Sequence, residues 1–100
     1  MPKFLIEVEH EPTTAACNRA ISVFMRTGSH FLTHADWGCK DNVHKAWFTL
    51  EVDTKTEALS TVPADYRHSA KIVQLTRFSP ADLDRISKAH GGNREPRSDS

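Results

Sequence analysis

The run His30-Phe31-Leu32-Thr33-His34-Ala35-Asp36-Trp37-Gly38-Cys39-Lys40-Asp41-Asn42-Val43-His44-Lys45-Ala46-Trp47 decides how this chain folds. It holds both tryptophans of the 100-residue protein, three of its six histidines and one of its two cysteines. Residues 38–42 are turn formers, and the segments on either side mix aromatic and β-branched residues with polar ones. The pattern predicts a β-hairpin with strands over 29–37 and 43–52. Histidines and Asp36 on strands, with a cysteine at the turn, are the materials of a metal or acid/base site.

Moving outward, residues 3–10 alternate, with Phe4, Ile6 and Val8 on one side and Leu5, Glu7 and Glu9 on the other, which predicts a strand. Pro12 and Thr13 end it and offer a helix cap. Cys17, Ala20, Ile21 and Phe24 then recur at helical spacing from Thr14 to Thr27, with Gly28 as the stop. Beyond the hairpin, a short helix over 55–62 ends at Pro63, and Ile72, Val73 and Leu75 mark a strand over 70–78. Ser79-Pro80-Ala81-Asp82 is a helix start, with serine as cap, proline in the first position and an acid in the first turn. Leu83, Ile86 and Ala89 or His90 give this C-terminal helix an apolar edge, and Gly91-Gly92 ends it. We expect one domain over residues 1–90 and a disordered C-terminal tail over 91–100.

The composition suits an ordinary soluble domain: 38% hydrophobic and 26% charged. Thirteen basic residues balance thirteen acidic ones, so no net field draws the protein to nucleic acid or an anionic membrane. No apolar run is long enough to span a bilayer, and no signal peptide's h-region opens the chain. A cytoplasmic location is expected. Cys17 in a helix and Cys39 in a turn are then free thiols, and without a CxxC pair a zinc ribbon or thioredoxin motif is excluded. No glycine sits in a phosphate-cradling loop.

The expected order is β-α-β-β-α-β plus a C-terminal helix. This is an α+β fold of the ferredoxin-like type, an antiparallel sheet with helices on one face. In length, element order and appended helix, residues 1–90 resemble the small proteins of the dimeric α/β-barrel superfamily, which includes muconolactone isomerase-like and antibiotic-biosynthesis monooxygenase-like proteins. The resemblance is architectural and carries over no functional residue.

Strand alternation then sorts the side chains. Ala46, Phe48 and Leu50 match Phe31, Ala35 and Trp37 if Trp37 lies opposite His44. The helix-covered face would hold these with Phe4, Ile6, Val8, Val73 and Leu75. The second face would hold Glu7, Glu9, His30, Leu32, His34, Asp36, Lys45, Trp47, Thr49 and Glu51, beside Leu5 and Ile72. So mixed a face invites a second copy of the sheet, hence a homodimer through the open face.

Two neighbourhoods follow from this register. His34 opposite Trp47, with Asp36 beside them and opposite Lys45, is a candidate catalytic set: His34 moves a proton, Asp36 orients it and Trp47 stacks on the substrate. His30 opposite Glu51, with Glu9 next to them on a parallel first strand and His34 near by, is a candidate set of metal ligands. Cys39 and His44, with Asp41, flank the turn as a second and looser metal site or a reactive thiol. His44 points to the helix side, Cys17 is core, and His10, His68 and His90 share no neighbourhood. The expectation is a homodimer that binds a divalent transition metal, nickel or zinc, for sequestration or sensing. A cofactor-independent isomerase or monooxygenase acting on a small organic molecule, and a purely structural interaction module, are the alternatives.

Overall fold

A computed structural model of the chain describes residues 1–27, 29–83 and 85. The fold is α+β, with a four-stranded antiparallel sheet and helices. The elements run β1 (Lys3–Glu9), α1 (Thr14–Thr27), α2 (His30–Thr33), β2 (Asp36–Trp37), β3 (Lys45–Glu51), α3 (Lys55–Ser60) and β4 (Ala70–Leu75), with 3-10 turns at Cys39–Asp41 and Ala64–Ser69. The strands lie in the order β2-β3-β1-β4.

Alternation in β1 and β3 does what period two demands. Phe4, Ile6 and Val8 are buried with Ala46, Phe48 and Leu50, while the residues between them are half-buried or exposed. Ala20 and Phe24 of α1, Leu32, Ala58 of α3, Val62 and Tyr66 complete a single core on that side of the sheet. Phe24 is its hub, edge-on to Trp37 at 5.0 Å, Tyr66 at 6.1 Å and Phe48 at 6.3 Å between ring centres. Burying such a ring contributes about 1.5–3 kcal/mol. The α3 helix starts with a capping box, Glu57 N donating to Thr54 Oγ1 (3.1 Å) and Thr54 N to Glu57 Oε1 (3.2 Å).

The expected second strand is mostly absent. Residues His30–Thr33 form one helical turn, and only Asp36 and Trp37 pair with β3. Leu32 is the reason. As part of a strand in the expected phase it would face outward, but the helical turn buries it completely and leaves Phe31 36% exposed instead. Side chains support the turn, with Thr33 Oγ1 donating to His30 O (3.2 Å) and His34 Nδ1 to the same carbonyl (2.8 Å).

Three further expectations are corrected. Asp36 lies opposite Trp47 and Trp37 opposite Ala46, two residues out of the expected register. An even slip preserves which face each side chain takes, so Trp37 still faces the core and Asp36 still faces outward. Secondly, β1 is antiparallel to β3, so Glu9 faces Lys45 and Glu51 faces Lys3. Thirdly, β4 is out of phase with the expectation: Ile72 pairs with Ile6 and is half-buried, whereas Val73 and Leu75 are 42% and 38% exposed.

The loop between β2 and β3 is a compact knot. Gly38 O accepts from Asp41 N and Val43 N, both at 2.9 Å, and Gly38 N donates to Lys45 O at 3.0 Å. Asn42 closes the 3-10 turn at φ 62°, a left-handed conformation that asparagine tolerates better than most residues. Beyond β4, Ser79 N and Oγ both donate to Asp82 Oδ2 (2.7 and 2.9 Å). The Gly28 stop, Ile86, Ala89, His90, Gly91-Gly92 and the tail lie outside the described residues.

Candidate metal centre

The antiparallel register brings His10 beside His44. Glu9 pairs with Lys45, so the next residue along, His10, meets His44, and His10 N donates to His44 O at 3.1 Å. The 3-10 turn after Gly38 then lifts Cys39 over the end of β1, where His10 Nε2 lies 3.1 Å from Cys39 Sγ. One ligating atom each from His10, Cys39 and His44 falls within 4.8 Å of the other two. Such a group is compatible with a metal ion. His10 is 8% exposed, and the other two are half-buried.

Hydrogen bonds set the ring nitrogens. His10 Nδ1 lies 2.9 Å from Glu11 O, and because a carbonyl only accepts, Nδ1 carries the proton and Nε2 keeps its lone pair towards Cys39. His44 Nε2 lies 3.1 Å from Asn42 Oδ1 and donates to it, which leaves Nδ1 as a lone pair. That Nδ1 is buried and has no hydrogen-bond partner among the described residues. Metal-binding histidines are oriented in this way, with the second nitrogen held by a carbonyl or amide oxygen. Burial, helped by the neighbouring Cys17 thiol, pushes the Cys39 thiol up to about 11. Near neutrality it therefore keeps its proton and is a poor nucleophile unless a cation displaces that proton. This counts against the reactive-thiol alternative.

The remaining expected ligands are dispersed. Glu9 and Glu51 sit at opposite ends of their strands, separated by six residues or about 20 Å at the rise of an antiparallel strand. No ligand set of His30, Glu9 and Glu51 forms, because it required a parallel β1. Glu9 instead lines a cleft of about 490 Å³ with His10, Arg19, Asp65, Tyr66 and His68.

His34, Asp36 and Trp47, the expected catalytic set, do line one cleft of about 330 Å³ with His30, Phe31 and Leu5. Within it the His30 and His34 rings lie 4.2 Å apart between centres, tilted by 35°. His34 spends its Nδ1 on His30 O rather than on Asp36. Lys45 pairs with Glu7 (3.2 Å), not with Asp36, and Trp47 Nε1 donates to Glu7 Oε1 (3.2 Å). Lys45 and Trp47 together hold the Glu7 carboxyl below its ordinary range, against the opposing effect of burial.

His10 is the residue that the sequence alone did not assign to the site. His10 becomes visible once β1 and β3 are paired antiparallel, since residue 10 must then meet residue 44. Comparison of the chain with protein-family models, curated proteins and solved structures returned no match. No helix among the described residues is long and apolar enough to cross a membrane.

Proposed function

We propose that this protein binds a divalent transition metal, zinc or nickel, through His10, Cys39 and His44, in sequestration or sensing rather than catalysis. One observation carries this: among the described residues the buried Nδ1 of His44 has no partner, while the opposite nitrogen of each ring is held by an oxygen. An unpaired buried nitrogen costs about 1–3 kcal/mol, which a bound cation would offset. Two nitrogens and a sulfur suit zinc or nickel and not calcium or magnesium, which take oxygen ligands.

Isothermal titration of reduced, tag-free protein with zinc and with nickel tests this. We expect micromolar or tighter binding that strengthens at least about tenfold from about pH 7 to about pH 8, because the neutral Cys39 thiol must release its proton. Saturation only in the millimolar range would overturn the proposal.

The surrounding architecture is inferred to be ferredoxin-like and of the dimeric α/β-barrel kind, in a reducing cytoplasm. The strand order β2-β3-β1-β4 with all neighbours antiparallel supports the fold. Exposed Val73 and Leu75 beside half-buried Leu5 and Trp47 on the open face support a two-fold partner there. Sedimentation as a monomer at micromolar concentration removes the dimer. The alternative, an isomerase or monooxygenase without a cofactor, is favoured only by the shared cleft of His34, Asp36 and Trp47.

A further inference from the structure

We infer that Cys17 is the fourth ligand, so that His10, Cys17, Cys39 and His44 form a tetrahedral Cys2His2 centre that selects zinc over nickel. This rests on the three-residue site proposed above and adds to it a residue from a third element. Cys17, Cys39 and His44 line one cleft of about 310 Å³ over the first turns of α1. The Cys17 thiol is a near neighbour of Cys39 across this cleft and helps to raise its pKa. Cys17 is anchored there by its backbone, with Cys17 N donating to Thr13 O at 2.9 Å, and Thr13 Oγ1 in turn caps the helix by accepting from Ala16 N at 3.0 Å. Both cysteines are free and half-buried.

The ligands thus come as two short-range pairs, His10 with Cys17 around the β1–α1 corner and Cys39 with His44 around the β2–β3 loop. A closed zinc site needs four donors. Bond lengths of about 2.3 Å to sulfur and 2.0 Å to nitrogen set tetrahedral edges of about 3.5 Å. The 3.1 Å from His10 to Cys39 is already close to that edge, and the 4.8 Å spread of the three-residue group needs only a modest contraction.

Charge points the same way. The cleft is otherwise lined by Pro12, Thr13, Thr14, Asn18 and Asn42, none of which is charged. A divalent cation held by one thiolate and two neutral imidazoles would leave a net positive charge in a partly buried place, which is costly. A second thiolate makes the centre neutral, each thiol passing its proton to solvent as its sulfur bonds the metal. Tetrahedral coordination by two sulfurs and two nitrogens is a zinc geometry, whereas divalent nickel prefers square-planar or tetragonal sites.

Cobalt(II) is the probe, because its sulfur-to-metal absorption grows with the number of bound thiolates. In the reduced full-length chain, we expect two thiolates' intensity in the wild type and one thiolate's in Cys17→Ser, with affinity weakened at least about tenfold. The wild type gives a second measurement that does not depend on how the variant folds. One equivalent of zinc should protect both cysteines from alkylation, relative to the metal-free protein. Equal absorption in Cys17→Ser and wild type, or protection of Cys39 alone, overturns the fourth ligand and leaves the three-residue site standing. Absence of any sulfur-to-cobalt band in the wild type overturns both.

Discussion

Two histidine pairs on this chain show how the same side chain is put to different uses. His30 and His34 lie one helical turn apart on the outer surface, their rings tilted together at 4.2 Å and both exposed. His10 and His44 are 34 positions apart in sequence, meet edge-on at 5.6 Å, and keep company with a thiol. In the first pair, His34 Nδ1 is satisfied by a carbonyl of its own turn, and solvent reaches the rest. In the second, burial strips away water and leaves one nitrogen of His44 without a partner among the described residues. Local spacing produced a tilted surface pair. Long-range strand pairing produced a poised one. Proximity in sequence is therefore a poor guide to where the ligands are, whereas burial with an unspent lone pair is a physical signal.

The sharpest way to break this contrast is to remove one member of each pair. His10→Ala and Cys39→Ser should each weaken zinc binding by at least about a hundredfold, the upper range for residues that merely support a ligand. His34→Ala should leave affinity within about twofold, since its ring lies in a different cleft. Calorimetry on the three variants checks both sides, and a large loss in His34→Ala would move the site to the surface pair.

A smaller effect is expected from Gly38→Ala. An added Cβ would lie 2.7 Å from Val43 O and about 3.0 Å from the Trp47 ring, and the carbonyl belongs to the loop's own hydrogen-bonded knot. We expect a destabilisation of about 1–3 kcal/mol by urea unfolding. Metal affinity should fall too, because the same loop carries Cys39 and His44. Unchanged affinity at reduced stability would show that the loop can shift without moving its ligands.

Much of the scaffold could be read from residues alone. The helix Thr14–Thr27 follows from the spacing of Cys17, Ala20, Ile21 and Phe24, and the inward faces of β1 and β3 follow from strict alternation. Asp36 and Trp47 share a face in the expected register and in the observed one, two residues away, because a slip of two is invisible to face assignment. Where apolar residues broke the alternation, the expectation failed. Leu32 looked like an outward strand residue, and only its complete burial shows why the chain takes a helical turn there. In β4, Ile72 and Val73 are equally apolar neighbours, so the sequence offers no means of choosing which faces inward. The pairing Ile6–Ile72 makes the choice.

The candidate site was half legible. Cys39 and His44 stand out as ligand types flanking a turn, but His10 reads only as a histidine at the end of a strand.

By itself, then, the sequence determined the class of fold, the placing of α1 and the alternating faces of two central strands. Those features depend on period and local preference, which neighbouring residues specify without help. Tertiary structure alone decided that β1 runs antiparallel to β3, that Glu9 and Glu51 part company, and that His10 arrives beside Cys39 and His44. Strand direction and burial arise from contacts between distant segments, so the chemistry that depends on them appears only when the chain has closed on itself.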